Sequence, residues 1–129
     1  MGFILIPERG DRVYINAWNW RPTLEILRTD GIVEDEDLLE RMGSQFLGAY
    51  VDENLAQRIA AALDRRLARM HPGERVRADM SVTAAPWETV YTAGMPVSEI
   101  DGNELYSARY EWLMQFRDFC QRSGGFRVS

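Results

Sequence analysis

The sequence predicts an α+β fold, about four helices packed on a small, mostly antiparallel sheet, because patterns of two different periods coexist in one chain. Between Leu55 and Met70 apolar residues return every three or four positions, whereas between Arg75 and Thr83 they alternate with polar ones. Two short aromatic and β-branched runs around Pro7-Glu8-Arg9-Gly10-Asp11 add a hairpin at the start. With 129 residues, 46% hydrophobic and 27% charged, the chain reads as one domain over 1–129, at a size where folding buries roughly two-thirds of the open chain's surface.

The hairpin strands are expected at Phe3 to Ile6 and Arg12 to Trp18. A helix should follow from about Pro22, since proline suits the first helical position and pushes the residue before it out of the helical region. Asp30-Gly31 ends it. "VEDEDLLERMG" then gives a short helix with carboxylates in its first turn and Gly43 beyond its end. Asp52 is a suitable cap for a longer helix over about 53–70, where Leu55, Ala56, Ile59, Ala60, Leu63, Leu67 and Met70 share one sector at about 100° per residue.

After His71-Pro72-Gly73, Val76, Ala78, Met80 and Val82 alternate with Arg77, Asp79, Ser81 and Thr83, the spacing of a half-buried strand. From Ala84 to Asn103 the pattern dissolves around Trp87, Tyr91 and Met95, so this stretch is either an unresolved hairpin or a functional loop. The last helix should begin near Glu104 or Ser107 and run to about Arg122, with Gly124-Gly125 as a left-handed cap. Its apolar residues, Leu105, Tyr106, Tyr110, Trp112, Leu113, Met114, Phe116, Phe119 and Cys120, span more than half the circumference. Such a helix is enclosed on several sides or partly covered by another chain.

Composition narrows the chemistry. The net charge of −5 opposes nucleic-acid binding, even though all 15 basic residues are arginine. The single Cys120 cannot form an internal disulfide and reads as core. The run Phe3 to Ile6, stopped by Pro7, is too short for a signal peptide or membrane span, and Ile6 stands where a myristoylation motif needs Ser or Thr, so a cytoplasmic protein without membrane contact is expected. One histidine, with no HExxH, no GxxxxGK[ST] and no GxGxxG, gives no catalytic set, no metal site and no cofactor. "EDED" at Glu34 to Asp37 fails as a calcium loop, because Ile26 and Arg28 stand where acids should precede Asp30-Gly31.

Surfaces carry what functional signal there is. Residues 30–40 hold six acids and no base, and residues 58–77 hold six arginines against Asp64 and Glu74, which favours internal docking or association between copies. Arg58, Arg65 and Arg69 fall within about 40° on the long helix, a solvated face or a surface for an acidic partner. If 16–20 is extended, Tyr14, Trp18 and Trp20 share one face and make a core wall or a sugar- or base-stacking platform; if it is helical, the two tryptophans point about 200° apart.

Three readings follow. The first is a non-catalytic interaction protein, inhibitor-like or self-associating, which meets a protein partner or a second copy through Arg58, Arg65, Arg69, Trp112 and Phe116. The second is a small-molecule binder using Trp18, Trp20, Trp87 and Tyr91, with 84–103 as a mobile cover. An enzyme using Glu88, Glu99 or Asp101 comes third, since no base or metal cluster accompanies them.

"NWRPTLEILRTDG", the helix from Asp52 to Met70 and "YEWLMQFRDFCQRSGGFRV" together resemble a group of small bacterial proteins of uncharacterised function. The shared features are the helix entry Trp20-Arg21-Pro22 and an aromatic terminal helix closed by Ser123-Gly124-Gly125-Phe126. The resemblance implies a bacterial origin and a single domain, and it transfers no activity and no site residue.

Overall fold

Alternating apolar residues at both ends of the chain build the main sheet. The computed structural model describes residues 2–89 and 95–129. Strands β1 (Gly2–Pro7) and β2 (Val13–Asn16) form the expected hairpin, with Phe3 opposite Ile15 and Leu5 opposite Val13. Helix α1 (Ala17–Thr29) follows directly, so the strand stops before Trp18 and the helix starts before Pro22. Asn16 causes this: its side-chain oxygen accepts the Asn19 N–H at 2.9 Å, a stronger start signal than proline. Pro22 then lies inside the helix, where its missing N–H leaves the Trp18 carbonyl without its usual helical donor.

Helix α2 (Glu36–Met42) is capped by Asp35, whose carboxylate accepts the N–H groups of Asp37 and Leu38. Strand β3 (Ala49–Asp52), which the sequence did not suggest, leads into α3 (Glu53–Leu67), and Asp52 caps that helix through the Leu55 N–H at 2.8 Å. The alternating stretch after it is a hairpin and not one strand: β4 (Arg75–Arg77) and β5 (Val82–Thr83) flank a turn. There Asp79 accepts from the Ser81 N–H and Oγ, and Met80 sits in the left-handed region at φ 73. Both arms of such a hairpin keep a period of two, so alternation alone cannot reveal the turn.

Two single-turn helices at Trp87–Thr89 and Val97–Glu99 precede α4 (Gly102–Leu105) and β6 (Ser107–Arg109). The terminal helix α5 therefore spans Tyr110–Ser123, later than its apolar pattern suggested, because β6 pairs with β4 and claims the residues before it. Gly124, at φ 69, is the expected left-handed cap, but the chain continues into β7 (Gly125–Val128).

The result is an α+β fold with five α-helices and seven strands among the described residues, in two antiparallel sheets ordered β2-β1-β7-β3 and β5-β4-β6. Phe3, Leu5, Val13, Val51, Phe126 and Val128 form the inner face of the larger sheet. Onto it pack Trp20 of α1, Ile59 and Leu63 of α3, and Trp112, Phe116 and Phe119 of α5. Among the described residues no helix is long and apolar enough to cross a membrane.

Candidate functional site

The aromatic residues nominated by the sequence that the structure describes sit in different surroundings. Helix α1 separates Trp18 from Trp20, as the helical alternative required. Trp20 is buried, donates from Nε1 to the Met42 carbonyl at 2.9 Å, and meets Phe116 edge-on at 5.3 Å between ring centres. It is core wall and cannot receive a ligand. Trp18 is half-buried against Tyr106, 4.8 Å between centres. Trp87 donates from Nε1 to the Leu105 carbonyl at 2.9 Å and lies beneath the Arg109 guanidinium. Tyr91 lies outside the described residues, as does part of the 84–103 segment.

Trp112 and Phe116 are likewise withdrawn from the surface. Trp112 Nε1 donates to Thr23 Oγ1 at 2.9 Å, and the two rings stack at 5.5 Å. Leu105 and Tyr106 belong to α4 and its end, so α5 carries less apolar circumference than the sequence implied, and its own chain buries Trp112, Leu113, Phe116, Phe119 and Cys120. The terminal helix offers these residues to no partner.

Trp87 borders a groove of about 310 Å³ over the smaller sheet, with Arg75, Glu88, Arg109 and Glu111 among its lining residues. Its floor is Arg75, which is buried yet fully engaged. Nε donates to the Ala85 carbonyl at 2.9 Å, Nη1 to the Glu104 carbonyl at 2.8 Å and Ser107 Oγ at 3.1 Å, and Nη2 to Glu104 Oε2 at 2.7 Å. One guanidinium thus ties both ends of the long connection to β4. Its hydrogen bond is the main reason the Glu104 carboxyl sits below the ordinary glutamate range, against desolvation and with help from Arg77. Arg77 Nε makes an ion-pair contact with Glu104 without the alignment of a hydrogen bond.

The rest of the groove is also internally paired. Glu88 meets Arg109 at 3.4 Å, and Glu111 accepts the Gly73 N–H at 3.0 Å. Asp101 caps α4 through the Asn103 N–H, and Glu99 is exposed. Cys120 is buried, and desolvation pushes its thiol well up, which removes the thiolate a nucleophile needs. Among the described residues no group of three or more His, Cys, Asp or Glu side chains could hold a metal ion.

The acidic and basic segments dock partly on each other. Arg66 holds Asp30 with two hydrogen bonds, at 3.0 and 2.8 Å. Arg28 bonds Glu36 and Glu25, and Arg41 bonds Asp37. Arg58 and Arg65 stay exposed on α3, and Arg69 is exposed in the turn beyond its end, because the helix stops at Leu67; Arg58 donates to the Ile32 carbonyl at 3.1 Å, and the other two have no ion pair among the described residues.

The surface that sequence reasoning missed is the outer face of the larger sheet. Register puts Tyr14 beside Ile4 in one row, and Ile6, Arg127 and Tyr50 side by side in the next. Helix α2 borders this face through Arg41, and the face stays open: Tyr14 is 69% exposed and Tyr50 51%. In the turn leading into β3, Phe46 is 95% exposed and Leu47 54%. Ser44 Oγ accepts the N–H groups of both, and Gln45 Nε2 donates to the Gly2 carbonyl, so the turn is anchored to the sheet. A signal did exist: Phe3-Ile4-Leu5-Ile6 is apolar on both faces of its strand, a pattern normally seen where both faces are covered.

No protein-family model, curated protein or solved structure matches the chain. The residues that carried the bacterial resemblance have architectural roles here. Trp20 is core, and Gly125, at φ 108, brings the backbone so near Tyr50 and Val51 that a Cβ would stand 3.0 Å from the Tyr50 hydroxyl.

Proposed function

We propose that the protein is a non-catalytic binding protein that engages a partner protein through the outer face of its four-stranded sheet. The observation that carries this reading is a sheet apolar on both sides that, among the described residues, helices cover on only one. Ile4, Ile6, Tyr14 and Tyr50 give the uncovered side apolar area to bury, the usual source of association free energy. Tyrosine also keeps a hydroxyl for the wet rim. Arg127 lies within this face and has no ion pair among the described residues, so the fitting partner surface is apolar with carboxylates. The Trp87 groove supports a small-molecule reading less well, because Arg75, Glu88, Arg109 and Glu111 already bond to groups of the same chain.

The test pairs a face variant, Tyr14→Ser/Tyr50→Ser, with a distant charge variant, Arg65→Glu/Arg69→Glu, each immobilised beside the natural chain. We expect one acidic protein to be captured by the natural chain and the charge variant and lost by the face variant, with melting temperatures nearly equal. Equal capture by the face variant would overturn the proposal. Light scattering that shows a dimer dissolved by the same two serines would replace the partner protein with a second copy.

A further inference from the structure

Resting on that reading, we infer that the partner supplies an extended segment of alternating apolar and carboxylate side chains, which adds as a strand to the free edge of β3. The ladder fixes which backbone groups are available there. Ile4 and Ser129 exchange both bonds, at 3.0 and 2.9 Å, and the Glu8 N–H reaches the Gly125 carbonyl at 3.0 Å. Antiparallel pairs alternate, so residues 125, 127 and 129 of β7 bond toward β1, and Phe126 and Val128 bond toward β3. Their partners on β3 are Val51 and Ala49. The N–H and carbonyl of Tyr50 therefore point away from the sheet, and β3 is an edge strand.

Charge selects this edge over the other. Beside it runs a groove of about 410 Å³ walled by Ile6, Arg41, Tyr50 and Arg127, with no acidic side chain in its lining; Arg41 is paired with Asp37 at 3.0 Å, and Arg127 is left without an ion pair among the described residues. That local excess of positive charge stands on a chain of net charge −5. Long-range repulsion of an acidic segment is screened beyond about 8 Å at physiological salt, whereas guanidinium–carboxylate contacts in the groove are not. At the opposite edge Tyr14 also presents its backbone outward, but the groove there, about 400 Å³, is lined by Gly2, Phe3, Ile4, Tyr14, Ile15 and Asn16 and holds no charge to discriminate between segments. Strand addition would draw affinity from the Tyr50 backbone and selectivity from Arg127.

The probe is an end-blocked hexapeptide alternating Asp and Val, compared with the same peptide carrying Lys for Asp and with one N-methylated at alternate residues. Binding to the full chain is followed by amide NMR. We expect saturable shifts at 48–52 and 127, slowed exchange of the Tyr50 amide, and binding weakened about tenfold or more by Arg127→Glu, by Arg127→Gln, by N-methylation and by lysine. Preserved dispersion of the spectrum shows that each variant folds. Equal binding of the lysine peptide, or no slowing at Tyr50, overturns the inference. Shifts confined to Ile4 and Tyr14 overturn strand addition at β3 while leaving the outer face as the partner surface, so the two failures are distinguishable.

Discussion

The two sheets treat their outer faces in opposite ways. On β5-β4-β6 the face away from the core carries Arg75, Arg77 and Ser107, and the connection ending in α4 covers it with Ala85 and Glu104. On β2-β1-β7-β3 the corresponding face carries Ile4, Ile6, Tyr14 and Tyr50, and no helix covers it among the described residues. Polar groups are enclosed and apolar ones are left in water. The covered face is stable because nearly every buried donor on it finds an acceptor. The bare face does little for folding, and its area remains available for association.

The largest expected effect calibrates the comparison from the inner side. Phe126→Ala removes a fully buried ring between Phe116 and Phe119 and should cost about 3–5 kcal/mol in denaturant unfolding. A loss below about 1 kcal/mol would break the claim that this side alone holds the sheet. Next comes Arg75→Ala, which leaves the Glu104 carboxylate with Arg77 alone and strands two carbonyls. Because Glu104 is partly exposed, about 2–3 kcal/mol is expected, with hydrogen exchange rising in β4 and β6 and staying slow in β1 and β7.

How much of this could be read from the chain differs between the two regions for physical reasons. Helices α2 and α3, the first hairpin and the Gly124 cap follow local rules of capping and periodicity, and these were legible. Strands β3 and β7 were not, because Ala49–Asp52 and Gly125–Val128 are short and become strands only by pairing, β7 with both β1 and β3, and β3 with β7. The start of α1 was misplaced because Asn16 outweighed Pro22. Arg75 looked like one more charge in a basic stretch, and nothing local announced that Glu104 would meet it. The candidate surface was half visible in the two-sided apolar run of β1, but which side stays bare depends on where α3 and α5 pack.

A smaller effect sharpens the polar side. Glu104 has a depressed pKa in the folded chain, so the stability it contributes is complete above the ordinary glutamate value of about 4.3 and is lost as pH falls through the lower folded value. Urea midpoints of the natural chain and Glu104→Gln should differ at neutral pH and converge in that acidic window. A constant difference down to the lowest pH would remove the ion pair from the account. The smallest effect belongs to the bare face, where Tyr14→Ser/Tyr50→Ser should change stability by less than about 1 kcal/mol.

The central claim is that the outer face of the larger sheet is uncovered in the free chain and covered in its complex. Oxidative footprinting of side chains, run on the purified chain at a concentration where light scattering shows a monomer, tests it most directly. Tyr14, Phe46 and Tyr50 should be labelled rapidly while Trp20 and Phe126 are spared, and the bound partner should protect those three. Slow labelling of Tyr14 and Tyr50 in the isolated monomer would mean that the chain already covers this face, which contradicts the account.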